Sequence, residues 1–187
     1  NKLIIATNNN DILKRTINTG VYRPSKVEHT ISPSMDIQVA SNFERLIFDI
    51  CAFNSAKTTK LMNDLKNYGE FKLEKDELSK IKETFCSDSL SEDETKLIIR
   101  NTFKNQQLLI DPHTAVAVGV ANKVSLNEQM IVLATAHPSK FSEVVEEQTK
   151  KKAELPESLK DILIKKENYK KISQDLQKVK NYILENS

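Results

Sequence analysis

The 187-residue chain has no tryptophan, two cysteines and three glycines. Gly20, Gly69 and Gly119 lie far apart, so no short loop offers the clustered, side-chain-free N–H groups that cradle a phosphate. Cys51 and Cys86 lack metal-like spacing and read as reduced thiols of a cytosolic protein, neither of them catalytic. Charge of one sign is missing too. Lys plus Arg number 28 against 26 Asp plus Glu, net +2 with no basic patch, which gives nucleic-acid binding no support. Tyr22, Tyr68, Tyr169 and Tyr182 are scattered and suggest no base stacking. No apolar run approaches a membrane span, and Asn1 to Thr7 reads as a buried strand rather than a signal peptide. The expected location is cytoplasmic, with an upstream targeting segment left open.

What is there suits one domain with a proper core. Leu3-Ile4-Ile5-Ala6 is a short apolar run ending in a polar cluster, as a buried parallel strand does at the ligand-facing edge of an α/β sheet. Asn9 or Asn10 is placed to cap the next helix, with Ile12, Leu13 and Ile17 inward and Gly20 ending it. Thr19 to Ala40, with Pro24 and Pro33, reads as a long loop, and long ordered loops are more often functional than not. Ser41-x-x-Glu44 has the form of a capping box opening one long amphipathic helix to Tyr68, and helices follow over Glu74 to Phe85 and from Ser91-x-x-Glu94. Gln107 to Ile110 and Met130 to Thr135 read as buried strands. Asp111 and Pro112 suit the cap and first turn of the helix that follows Ile110. From Ser142 onward ten Lys against nine acids mean a solvated face, with Ile162, Leu163, Ile172, Leu176, Val179 and Ile183 as the core stripe of one or two terminal helices.

Five short motifs carry more than periodicity does. Ala6-Thr7-Asn8-Asn9-Asn10-Asp11-Ile12-Leu13, Ser32-Pro33-Ser34-Met35-Asp36-Ile37, Ser41-Asn42-Phe43-Glu44-Arg45-Leu46, Asp111-Pro112-His113-Thr114-Ala115-Val116 and Ala136-His137-Pro138-Ser139-Lys140-Phe141 stand in one order with plausible separations. Together they resemble the C-terminal part of the threonine synthase family, and Leu155 to Leu159 and Val179 to Ile183 extend the likeness. The resemblance implies a lyase dependent on pyridoxal 5'-phosphate that turns O-phospho-L-homoserine and water into L-threonine and phosphate. It implies an α/β fold of the tryptophan synthase β-like kind, with parallel strands flanked by helices, a helical insertion and C-terminal helices. On this reading residues 1–40 give a βα unit and active-site loop, 41–106 the insertion, 107–150 a βα return and 151–187 a C-terminal helical region. The family's Schiff-base lysine and Gly-rich loop would lie upstream of Asn1, in a missing N-terminal part of the same enzyme, so the fragment alone is expected to be inactive and supplies no catalytic residue.

Within that resemblance Thr114 is the candidate partner of the cofactor's pyridine nitrogen, the ring being the electron sink for carbanions. A hydroxyl, unlike a carboxylate, does not hold the ring protonated. From the sequence alone Thr114 reads first as a cap of the helix through Ala115, and the resemblance reverses that order. Ser32, Asp36, Asn42 and Arg45 are candidates for binding the substrate, with Met35 in the same pattern: a helix start beside a guanidinium fork suits its anionic groups. Asp36 reads better as a loop organiser than as a base, and Arg45 could instead pair with Asp49. His113, His137 and Lys140 are supporting candidates. The two histidines lack a third metal ligand and an activated nucleophile, so hydrogen bonding is their better reading, and no metal is expected. A threonine or serine dehydratase-like relative, or a non-catalytic helical interaction module, are the alternatives.

Overall fold

A computed structural model describes residues 2–124 and 129–187. Strand β1, Leu3–Thr7, leads into helix α1, Ile12–Thr19, which buries Ile12 and Ile17. Asp11, rather than Asn9 or Asn10, precedes the first turn. It makes no side-chain cap because Arg15 Nε donates to its carboxylate at 2.7 Å. Gly20 stops the helix in the left-handed region at φ 77°, where its N–H reaches Thr16 O. Strand β2, Val21–Tyr22, then gives way to a segment whose only regular piece is a 3-10 turn at Pro33–Met35.

The long helix expected from Ser41 to Tyr68 is two helices, α2 at Phe43–Ile50 and α3 at Ser55–Tyr68. The break falls at Ala52 and Phe53, both at positive φ (55° and 59°), where apolar spacing carried no sign of a turn. Asn54 ends the break by accepting the Lys57 N–H at 3.0 Å, a local capping bond that outcompetes helix continuation. The Ser41 box does not form, since α2 starts after Asn42 without a side-chain cap. Strand β3, Phe71–Lys72, pairs antiparallel with β2, and the rings of Phe43, Tyr22 and Phe71 stack at 5.5 and 4.8 Å, tying α2 to this ribbon.

Helix α4, Lys75–Thr84, stops one residue short of the expected end because Phe85–Ser89 forms strand β4. This strand pairs parallel with β1, Leu3 against Phe85 through Thr7 against Ser89. Helix α5, Glu92–Gln106, opens with the expected Ser91/Glu94 box, and α6, Pro112–Val124, packs on both β1 and β4. Gln107–Ile110 and Met130–Thr135 are not strands. A strand persists through its ladder, and neither segment has a pairing partner among the described residues; Ile131 and Leu133 are 87% and 75% exposed. A 3-10 turn at Pro138–Phe141 leads into α7, Ser142–Thr149, which packs on α5.

Leu155–Ser187 forms a separate unit containing one 3-10 turn and helix α8, Leu176–Asn186, capped by Asp175. Its expected core stripe is largely exposed, Leu163 at 81% and Leu176 at 83%. No described helix is long and apolar enough to cross a membrane.

Gly119 decides how closely α6 approaches the strands. A Cβ there would meet the two Leu90 methyl carbons at 2.4 and 2.8 Å, and Leu90 is itself buried with Val116 and Val120. Gly119→Ala should gain about 1 kcal/mol of helix propensity. It should lose about 1–3 kcal/mol to overpacking. A lower thermal melting temperature is the expected outcome, and an unchanged or raised one would show that Leu90 repacks freely.

Candidate active site

The carboxyl ends of parallel strands are where α/β sheets place ligands, and β1 and β4, the parallel pair, end on the same edge. Thr7 O takes the Leu90 N–H at 2.9 Å, and Lys14 from α1 spans to Asp88 at 2.7 Å, its hydrogen bond holding that carboxyl below the usual range. Beyond Thr7 the chain turns at Asn8, whose Oδ1 accepts the Asn10 N–H at 2.8 Å. The Asn8 amide nitrogen then reaches into the long loop, to Thr30 Oγ1 and Ser32 Oγ (each 2.9 Å) and Asp36 Oδ1 (2.8 Å). Asp36 also accepts from Thr30 N, Thr30 Oγ1 and Asn10 Nδ2 at 2.8, 2.7 and 3.1 Å, so both its oxygens are engaged. Asn10 completes the hold by exchanging bonds with the backbone of Glu28, 2.9 Å each way. Ser32 and Asp36 therefore sit together in a polar knot with Asn8 and Asn10.

The second centre is the start of α6. Asp111 is fully buried and receives four donors: the N–H and Nδ1–H of His113 on Oδ1 at 2.9 and 2.8 Å, and the N–H (3.3 Å) and hydroxyl of Thr114 on Oδ2. The far nitrogen of His113, Nε2, accepts the Ser34 N–H at 3.1 Å. His113 thus joins the α6 cap to the 3-10 turn that lies inside the Ser32–Asp36 motif. The Phe141 ring rests 4.6 Å from the imidazole, bringing in the Pro138–Phe141 turn as well. His113 also lines a mainly apolar cavity of about 810 Å³ with Ile4, Ala6, Met35, Ala117 and Val132.

The remaining candidates are more open. Asn42 and Arg45 line a separate surface depression of about 410 Å³ with Ser41, Phe48 and Thr58, and no hydrogen bond joins them to the Ser32–Asp36 knot among the described residues. Arg45 is exposed and makes no ion pair with Asp49. His137 caps its own turn, accepting the Ser139 N–H at 3.2 Å, and the Lys140 ammonium lies 5.7 Å from the Phe141 ring centre. Cys51 is no nucleophile: burial and the Glu77 carboxylate push its thiol up to about 11. The residues that sequence reasoning passed over as organisers of the loop are Asn8 and Asn10, whereas Asp111 caps α6 as expected and also holds the His113 ring. The Asn-Asn-Asn-Asp run after a strand was the available signal for the two asparagines.

The polar knot yields a test in the complete enzyme. Asn8→Ala removes the donor shared by Thr30, Ser32 and Asp36 and leaves the buried Asn10 N–H without its acceptor, a loss of about 1–3 kcal/mol. Limited proteolysis should then cut faster between residues 23 and 40 than in the wild type. Equal cutting rates would mean that the loop is held by its other contacts.

A family model described as "Threonine synthase, C-terminal" matches residues 114–183. Threonine synthase of Pseudomonas aeruginosa is 36% identical over 97% of this chain and 39% of its own length, and that of Saccharomyces cerevisiae is 35% identical over 98% and 41%. The crystal structure of pyridoxal-phosphate-bound threonine synthase from Brucella melitensis superposes with a TM-score of 0.88 at 40% identity, covering 100% of this chain and 40% of that one. The chain spans about two fifths of the length of these relatives, and its α/β arrangement of parallel strands and helices is theirs. Nearly every residue of the chain is thus aligned with threonine synthases at better than one identity in three, and the chain belongs to the threonine synthase family.

Proposed function

We propose that this chain is the C-terminal portion of a cytoplasmic threonine synthase, acting with the N-terminal part of the same enzyme to convert O-phospho-L-homoserine and water into L-threonine and phosphate. The observation that carries the reading is the bridge through His113: it fixes the Ser32–Asp36 loop against the Thr114 turn, so two motifs of the family face one edge of the sheet. Pyridoxal phosphate, when bound, supplies the electron sink that stabilises carbanions on the substrate. Thr114 suits its ring nitrogen, because its hydroxyl is fixed by Asp111 and its oxygen takes no donor among the described residues. A phosphate cradle and a lysine partner are roles for the N-terminal part. Among this chain's residues, Ser32 and Asp36 shape the loop that borders the site, His113 positions it, and His137 and Lys140 support the neighbouring turn. We assign residues 1–40 and 107–150 to the catalytic domain, 41–106 to the insertion and 151–187 to the C-terminal helical region.

Arg45 and Asn42 are the proposed anion-binding pair. Their depression is open and also lined by Glu44, and the Arg45 guanidinium makes no ion pair among the described residues. A guanidinium fork grips phosphate or carboxylate with two parallel bonds, which an ammonium does not reproduce. In the complete enzyme Arg45→Lys should raise KM for O-phosphohomoserine roughly tenfold, the ~1.4 kcal/mol of about one lost charge-assisted bond. Its melting temperature should stay near that of the wild type, as for any exposed charge. Unchanged KM in steady-state kinetics would remove Arg45 from the substrate site.

A further inference from the structure

Among the described residues, strand β1 has a partner on one side only. Thr7 O takes the Leu90 N–H, so Thr7 turns its backbone toward β4; by the alternation of a strand Leu3 and Ile5 do the same, while Ile4 and Ala6 turn their N–H and C=O groups outward. That open edge lines the cavity of about 810 Å³, together with Ala117 and Ala121 of α6. Another wall is the run from Met130 to Leu133 with Thr135, and its backbone makes no hydrogen bond among the described residues. Two rows of unpaired peptide groups therefore border one cavity. The run is apolar at successive positions, Met130 and Val132 half-buried and Ile131 and Leu133 exposed, which is the composition of a strand covered on both faces. It also runs to the edge where β1 ends, since Phe141, six residues past Thr135, rests on His113, which takes the Ser34 N–H there.

We propose that one strand from the N-terminal part of the same enzyme inserts between β1 and Met130–Thr135, parallel to both, and makes Met130–Thr135 a strand of one continuous sheet. This rests on the reading of the chain as the C-terminal portion of a longer enzyme, and it names the surface by which the two portions meet. About three fifths of the length of the Pseudomonas aeruginosa relative lies outside the matched region, which is ample for a further strand. A parallel neighbour needs no proximity in sequence, because parallel strands are joined by long crossovers in any case. The strand that fits is about five residues long, as β1 is, spanning ~17 Å and apolar on both faces. A small apolar molecule in the same cavity would leave the Ile4 and Ala6 peptide groups unpaired; only another backbone answers a row of donors and acceptors at strand spacing.

The test is residue-resolved hydrogen exchange on the complete enzyme, with a photoreactive benzophenone side chain placed at position 131 in a second sample. The Ile4 and Ala6 amides, and every second amide between Met130 and Thr135, should exchange roughly a hundredfold or more slowly than unstructured chain. Ile5 and Thr7, which face β4, supply the internal standard for a paired amide. Illumination should join position 131 to a peptide of the N-terminal part of the same chain. Fast exchange at Ile4 and Ala6 overturns the proposal, whether the cavity then holds solvent or a small molecule. Cross-links to a second copy of residues 1–187 overturn it too, in favour of an interface between copies; where no cross-link forms, the exchange rates decide. Threonine formation from O-phosphohomoserine is assayed on the same wild-type preparation and fails independently: slow exchange without threonine refutes the assigned reaction and leaves the inserted strand in place.

Discussion

The parallel pairing of β1 with β4 is the constraint from which the rest of the arrangement follows. Strands running in the same direction cannot be joined by a tight turn, so everything between Thr7 and Phe85 is crossover. That crossover contains four helices, a two-stranded ribbon and the long loop after β2. Because both strands run the same way, Asn8 and Leu90 leave the sheet on the same edge, and α6 lies across both strands on a surface kept thin by Gly119. A site at that edge needs only the loop to be brought back to it.

Polar groups bring it back, and this matters for precision. Apolar surfaces tolerate sliding, whereas a buried amide or carboxylate left without a partner costs about 1–3 kcal/mol. Asn8, Asn10 and His113 are all buried, and each finds its full set of partners only when the loop takes one position, while the buried Asp111 holds His113 in place. The same side chains that are expensive to bury are thus the ones that select a single loop conformation.

Local chemistry was legible in the sequence; pairing was not. The Leu3 strand, the Gly20 stop, the Ser91 box and the Asp111 cap on a helix beginning at Pro112 each depend on residues within a few positions of one another. Phe85–Ser89 has little apolar character and becomes a strand only because β1, some eighty residues earlier, offers it a ladder. The reverse error, strands expected at Gln107–Ile110 and Met130–Thr135, has the same cause: an apolar run predicts burial, and only a partner strand makes it a strand. Motif reading brought out Thr114 for the cofactor and Ser32, Asp36, Asn42 and Arg45 for the substrate, of which the structure gathers Ser32 and Asp36 and leaves Asn42 and Arg45 in a separate depression. It passed over Asn8 because the groups that Asn8 holds lie 22 to 28 residues away.

His113 shows how the neighbours of a residue decide what its type can do. A histidine beside an aspartate invites a reading as a base, with the carboxylate orienting the ring for proton transfer at the far nitrogen. Here that nitrogen faces the Ser34 N–H, a backbone donor that gives up no proton, and the ring is further boxed by Phe141. What the aspartate–histidine pair transmits is position: it couples the start of α6 to the turn at Pro33–Met35. The proton-bearing contact of Asp111 that points elsewhere is the one to Thr114, so the two oxygens of one carboxylate divide the work, Oδ1 holding the loop and Oδ2 setting the direction of a hydroxyl.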